Sequence, residues 1–346
     1  MTPPPSHPKF GEALARISPD LVLVEKAMRE QLGSASDVIG QVGDHVLGSG
    51  GKRMRPALLL LAAELCGYIG PRAIQISAAI ELLHTATLLH DDVVDVSSLR
   101  RGKPSANAVW GNRRAVLSGD FFYARASSMI VEDGNIDILW IFANAIRGMS
   151  EGELLQLERS YDPSVTEAVY YSVIERKSAV LLATATESGA ILAGVTRAER
   201  RKVADFGREL GLAFQLRDDA LDYEAHEAEL GKRPYTDIRE GKVTFPLLLT
   251  LKRCTNSERE TIAAVLKSAA LCNALEGSAD SPEAASEPFD LSPVVDLIER
   301  YHGVSDTVRR AEQHIERAIA SIAAFPDGRA KSDLLAAAEH CVSRDR

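Results

Sequence analysis

Residues 74–95 read IQISAAIELLHTATLLHDDVVD, and the fold class follows from them. Between Ile74 and Leu89 apolar residues fall on nearly every side of a helix, and a helix of that kind belongs at the centre of a helical assembly. The stretch ends on Asp91, Asp92 and Asp95. Asp91 and Asp95 stand at i and i+4, one turn apart on one face, where like charges repel. A second cluster, Asp218, Asp219 and Asp222 in FQLRDDALDY, repeats the spacing inside another apolar stretch. One such cluster, in a chain with 49 acidic residues, is as readily a solvated acidic face. Two are different, because basic residues surround both: Arg100, Arg101 and Lys103 after the first, Lys232 and Lys242 after the second. Carboxylates and cations converging on one place point to Mg²⁺ and to a polyphosphate that the metal bridges.

Outward from these clusters nearly everything reads as helix. Ala, Leu, Glu, Arg and Ile recur at spacings of three and four, and aromatic residues are only 5%. The pattern predicts helices over about 9–31, 36–47, 55–66, 71–96, 113–131, 136–159, 166–194, 197–223, 243–253, 257–272, 292–303, 305–324 and 328–342. Breakers fall between them, among them Gly70-Pro71, Gly102 to Pro104 and Asp133-Gly134. The expected architecture is a single all-α domain over 1–346, a bundle of about 10–13 helices around a central apolar cavity, with the two carboxylate faces looking at each other across it. The N-terminus (1–8) and the Ser/Ala/Pro/Glu-rich stretch 276–288 are expected to be disordered.

With 346 residues the chain can bury a substantial core. A net charge of −9 argues against nonspecific nucleic-acid binding, so the local basic clusters are expected to serve a small anion. Four cysteines, Cys66, Cys254, Cys272 and Cys341, lie far apart without CxxC spacing. Neither zinc nor a disulfide framework is indicated, and a cytoplasmic location is expected. No apolar run approaches the roughly 20 residues of a membrane helix, since even PALLLLAAEL is interrupted by Glu64.

The ordered segments GGKRMRP, ELLHTATLLHDDVVDVSSLRRGKPSAN, ERKSA, FQLRDDALDY and LGKRPYTDIREGKVTFP together resemble the trans-prenyltransferases, the head-to-tail isoprenyl diphosphate synthases, over about residues 20–255. The resemblance implies an all-helical, Mg²⁺-dependent homodimer that adds isopentenyl diphosphate to an allylic diphosphate. It implies three Mg²⁺, held by Asp91 and Asp95 with Asp92 in support, and by Asp218 with Asp219 and Asp222 beside it. Arg100, Lys177, Lys232 and Lys242 match the cationic contacts of the allylic diphosphate, with Gln215 lining the site. Lys52, Arg55, His84 and Arg101 match the pocket for isopentenyl diphosphate. Taken alone, His84 on an apolar helix is a satisfied core histidine, and Lys52 with Arg55 is a surface turn; the family context reverses both. His90 is rotated away from the metal face and is left structural. Ser178 stands where the family usually has threonine, and Tyr235-Thr236 where it more often has a glycine.

Short-chain members often carry an aromatic residue four or five positions before the first aspartate. Here those positions hold Thr87 and Ala86, both small, with Leu83 further down the helix. The product tunnel therefore stays open. Further similarity to octaprenyl and related synthases, in HTATLLHDDVVD and LSGDFFYARA, implies a C40–C50 product, a quinone side-chain precursor whose release involves transient membrane contact. Phe122, Tyr123 and Met129 are candidates for the tunnel floor. A medium-chain synthase, a terpene cyclase, a squalene-type synthase and a noncatalytic subunit of a heteromeric enzyme are the rivals. GGKRMRP with RRG disfavours the cyclase and squalene types, and the complete aspartate clusters disfavour the noncatalytic subunit.

Overall fold

A computed structural model of the chain describes residues 9–33, 36–48, 50, 53–224, 235–276 and 290–343, with the side chains of 273–276 excepted. The stretches expected to be disordered, 1–8 and most of 276–288, lie outside these residues, as do Lys52 and Lys232. The chain divides into two compact units. Met1–Ile146, Val180–Glu209 and Arg317–His340 make the first; Arg147–Ala179, Leu210–Glu316 and Cys341–Arg346 make the second.

The helix expected over 9–31 is two, α1 (Phe10–Arg16) and α2 (Ser18–Leu32). Pro19 has no N–H to bond back, and the helix is interrupted at Ile17. After α3 (Asp37–Leu47) and α4 (Met54–Leu65) comes the decisive stretch, α5 (Pro71–Val94). The absence of a polar face has the consequence expected of it: α2, α4, α6 (Ala106–Trp110), α7 (Asn112–Asp133) and α10 (Val180–Ala193) all pack on α5. Ile76, Ala78, Ala79, Leu82 and Leu83 are at most 2% exposed. Close approach of α10 to α4 depends on Gly189, where a Cβ would come within 2.6 Å of the Ala63 amide nitrogen and 2.7 Å of the Leu59 carbonyl oxygen.

One element escaped the periodicity. Leu99–Arg100 (β1) pairs antiparallel with Lys103–Pro104 (β2), Leu99 opposite Pro104. The two residues between, Arg101 (φ 52°) and Gly102 (φ 74°), are both left-handed, as a tight two-residue hairpin requires. The turn sends Arg100 to Asp92 and Arg101 to the Gly50 carbonyl.

In order along the rest of the chain come α8 (Ile136–Glu158), α9 (Glu167–Ile174), a π-helical turn (Glu175–Ala179), α10, and α11 (Arg197–Glu224). The second unit also holds α12 (Thr236–Arg239), α13 (Phe245–Arg253), α14 (Asn256–Glu276) and α15 (Ser292–Arg300), and most of α16 (Gly303–Ser321). The last helix is α17 (Arg329–Ser343). Thr255 and Glu258 form a reciprocal N-terminal cap on α14: Glu258 accepts from the Thr255 amide at 2.9 Å, and the Glu258 amide donates to the Thr255 hydroxyl at 3.4 Å. The second unit's core forms around Phe245, packed against Tyr170 and Tyr171 with the Arg310 guanidinium 5.4 Å from its ring centre.

Candidate active site

In the first unit the arginines and His84 come together. Arg53, Glu81, His84, Asp92, Arg100 and Arg101 line one cleft, closed by His45 and by Pro104 of the hairpin. His45 hydrogen-bonds the Pro104 carbonyl through Nε2 at 2.8 Å and meets Trp110 edge-on, fixing the hairpin against α3. His84 is partly enclosed by protein and faces Arg55, Arg100, Arg101 and Arg53. Desolvation first, and then these guanidinium charges, hold its imidazole well below the usual histidine range. It is therefore neutral at pH 7, able to donate or accept one hydrogen bond without adding charge. Burial, followed by Arg100, lowers Arg101 from its usual range while Glu81 offsets part of the effect. Cations held this close, with little water between them, are poised for an anion.

Asp92 and its neighbours divide the labour of the first cluster. Asp92, 3% exposed, accepts from Arg100 Nε at 2.8 Å and 3.1 Å and pairs with Nη2 at 2.8 Å. Asn107 fixes the Asp92 carbonyl from α6 at 3.0 Å. Asp92 is thus the anchor of Arg100, while Asp91 and Asp95 stand half-buried at the end of α5. His90 points elsewhere: Nε2 hydrogen-bonds the Val116 carbonyl at 3.2 Å, against Gly119 of α7, as its rotation predicts.

The second unit builds the other half of the sequence pattern. Gln215 and Asp219 are one turn apart on α11. The Ser178 hydroxyl donates to Gln215 Oε1 at 2.6 Å, Gln215 Nε2 donates to Asp219 Oδ1 at 2.9 Å, and the Tyr170 hydroxyl donates to Asp219 Oδ2 at 2.5 Å. Ser178 thus supplies the hydroxyl that the family's threonine offers. Burial pushes the Asp219 carboxyl up to about 6, with the bonds from Tyr170 and Gln215 pulling the other way. Asp222 accepts the Thr236 amide on Oδ1 and the Asp237 amide on Oδ2, both at 3.1 Å, so it holds the start of α12. Tyr235 carries φ 61°, the left-handed geometry a glycine would take there without strain. Enclosure and the neighbouring Asp222 and Asp219 push the Asp237 carboxyl well above the carboxylate range, partly countered by Lys242. Lys242 pairs with Glu240 at 2.5 Å. Lys177, on the π-helical turn, pairs with Glu153 at 2.6 Å and donates to Gln156 at 2.8 Å.

Among the described residues no three His, Cys, Asp or Glu side chains form a ready-made cation cage. Mg²⁺ takes one or two protein carboxylates and completes its shell with water and phosphate oxygens, and Asp91, Asp95 and the half-buried Asp218 supply only such hard oxygen donors. Of the chain-length residues, Ala86 and Leu83 are 2% exposed and Thr87 is half-buried. Of the floor candidates, Phe122 and Met129 are buried and Tyr123 is 41% exposed.

Three participants were missed. Glu81 interrupts an apolar helix, and that interruption was the available signal. Arg53 sits in plain view in GGKRMRP. Tyr170 reaches Asp219 from 49 positions away, and nothing local in the sequence marks it.

This helical architecture is that of the isoprenyl diphosphate synthases. It matches a polyprenyl synthase from Caulobacter crescentus CB15, solved in complex with calcium and isoprenyl diphosphate, with a TM-score of 0.88 and 37% identity over 99% of this chain and 100% of that one. The chain belongs to the polyprenyl synthetase family, whose model matches residues 36–276, and is a prenyltransferase. Octaprenyl diphosphate synthase of Escherichia coli (strain K12) is 40% identical over 338 residues, 98% of this chain and 99% of that protein. An all-trans-nonaprenyl-diphosphate synthase, geranyl-diphosphate specific, from Rhodobacter capsulatus is 36% identical over 91% of this chain and 92% of its own. Among the described residues no helix is long and apolar enough to cross a membrane.

Proposed function

We propose that the protein condenses isopentenyl diphosphate with an allylic diphosphate, head to tail, to give an all-trans polyprenyl diphosphate of C40–C50 that serves as a quinone side-chain precursor. The observation that carries the reaction is the guanidinium-lined cleft on α5, two helical turns before Asp91 on the same helix. One anion site beside a carboxylate pair suits two diphosphates with different fates. The product length is supported by the likeness to octaprenyl and nonaprenyl synthases and by small residues at 86 and 87.

In this proposal Asp91 and Asp95, and Asp218 with Asp222, are the residues that would hold the three Mg²⁺. When bound, the metal neutralises the charge that grows on the leaving diphosphate. Arg100, steadied by Asp92, and Lys177, Lys232 and Lys242 are the cations assigned to the allylic diphosphate, whose growing negative charge they would stabilise as the C–O bond breaks. Lys52, Arg55, Arg101 and neutral His84 hold isopentenyl diphosphate so that its double bond attacks the allylic carbon, and holding both partners replaces an encounter by a unimolecular step. The proton lost from the new chain goes to the released diphosphate. Asp219, committed to Tyr170 and Gln215, positions the second cluster.

The chain works as one catalytic domain in the cytoplasm, as a homodimer, with transient membrane contact when the insoluble product leaves. Leu117, Tyr123, Val131, Ile136 and Trp140 are exposed on α7 and the start of α8, apolar side chains of the kind a second copy would cover. The test is incubation with Mg²⁺, farnesyl diphosphate and labelled isopentenyl diphosphate, followed by chain-length analysis. A ladder ending near eight to ten isoprene units is expected. Products stopping at four or five units refute the length, and no elongation from any allylic primer refutes the reaction.

A further inference from the structure

A carboxylate does not belong in a pocket for an anion, yet Glu81 lines the same cleft as Arg53, His84, Arg100 and Arg101. It is 5% exposed, on α5 one turn before His84. Oε1 accepts from Arg53 Nη1 at 3.2 Å, and Oε2 is buried without a hydrogen-bond partner among the described residues. Arg53, held left-handed at φ 45°, is tied a second time by Nη2 to the Leu47 carbonyl at 3.1 Å. A fold that wanted only to anchor Arg53 would have no use for the second oxygen, because an unpaired buried carboxylate oxygen is costly. The field of Glu81 reaches beyond its partner, since it is the charge that offsets the other arginines at Arg101.

The chemistry proposed above supplies a reason, and this inference rests on it. In each condensation the allylic C–O bond breaks, a C–C bond forms, and a proton leaves. The lengthened chain keeps the diphosphate that entered as isopentenyl diphosphate. Before the next round that diphosphate must leave the basic cleft for the Asp91 and Asp95 end of α5. A cleft that bound the anion too tightly would stall the chain after one addition. We propose that Glu81 moderates the cleft, weakening its hold on diphosphate so that the lengthened chain is released to the carboxylate site for the next addition.

Glu81→Gln keeps the acceptor for Arg53 and removes the charge. Isothermal titration of the full-length protein with isopentenyl diphosphate alone should show binding about three- to tenfold tighter, the scale of one unit charge acting through water over about 4 Å. The KM for farnesyl diphosphate should stay the same, and products should shift toward single and double additions. Arg53→Gln gives the opposite sign: Glu81 is then uncompensated, and isopentenyl diphosphate binds more weakly. The double variant should return close to wild type. A merely structural ion pair would weaken binding in both single variants, so equal or weaker binding in Glu81→Gln overturns the proposal. If Glu81→Gln does not fold in a thermal melt, unchanged binding in Arg53→Gln overturns it instead. Wild-type protein that fails to elongate would refute the reaction itself, whereas normal elongation without tightening in Glu81→Gln refutes only the role of Glu81.

Discussion

Replacing Arg100 with methionine removes the cation on which a buried carboxylate depends. Asp92 is 4% exposed at its side chain, with three N–O contacts to Arg100 between 2.8 and 3.1 Å. Breaking one side of a buried ion pair typically costs about 3–5 kcal/mol, because the remaining charge is stranded. Arg100 is itself 32% exposed, and water entering at that side reduces the loss to about 2–3 kcal/mol. In urea unfolding, with a slope of about 3 kcal/mol per molar, that is a midpoint lower by about 0.7–1 M. Arg100→Met/Asp92→Asn removes the stranded charge and should recover most of the midpoint. Turnover should not recover, because Arg100 is also proposed to touch the allylic diphosphate. Unfolding and steady-state rates measured on the three variants separate the two roles. An Arg100→Met protein as stable as wild type, or a double variant no more stable than the single, would refute the argument that Asp92 is held by this guanidinium.

Asp91→Ala should abolish turnover and leave the melting temperature within a few degrees of wild type, since Asp91 is only half-buried; normal turnover would sink its assignment to the metal. Ala86→Phe should shorten the product to about three or four isoprene units, read by chain-length analysis, and an unchanged ladder would mean that residue 86 does not face the growing chain. Gly189→Ala places a Cβ 2.6 Å from backbone of α4, which cannot rotate away as a side chain can, so an overpacking loss of about 1–3 kcal/mol is expected in denaturant titration. Bonds from Thr255 and Tyr301 hold the Glu258 carboxyl down at about 2, below its ordinary 4.5. Its contribution is therefore full above pH 4.5 and lost as the pH falls toward 2. Glu258→Gln should be less stable than wild type at pH 7, with the difference closing across that window.

The central helix was legible because its apolar residues leave no face for water, a signal carried by consecutive residues. The aspartate clusters were legible for the same reason, since i and i+4 spacing is local. The RRG hairpin was not, because two left-handed residues in a row are set by backbone sterics and have no hydrophobic period. Likewise the division within the first cluster, with Asp92 turned inward to Arg100 and its neighbours outward, follows from a turn eight residues away. The role of Ser178 was half visible: a retained hydroxyl could be noticed, but its acceptor, Gln215, lies on another helix. Lys177 and Ser178 read as ordinary helix, and the π-helical turn that carries them has no spacing signature.

That turn also sets a phase. Tyr170 must meet Asp219 and Gly189 must meet the backbone of α4, and both requirements fall on the continuous helical run from α9 through α10. A π turn takes up one residue more than an α-helical turn, so it shifts by one residue which downstream positions fall on a given helix face. The widened turn works like a vernier between two faces cut for different partners. Deleting one residue there would keep a good helix and yet offer α4 a side chain where it needs glycine, so the length of this segment is less tolerant than its composition.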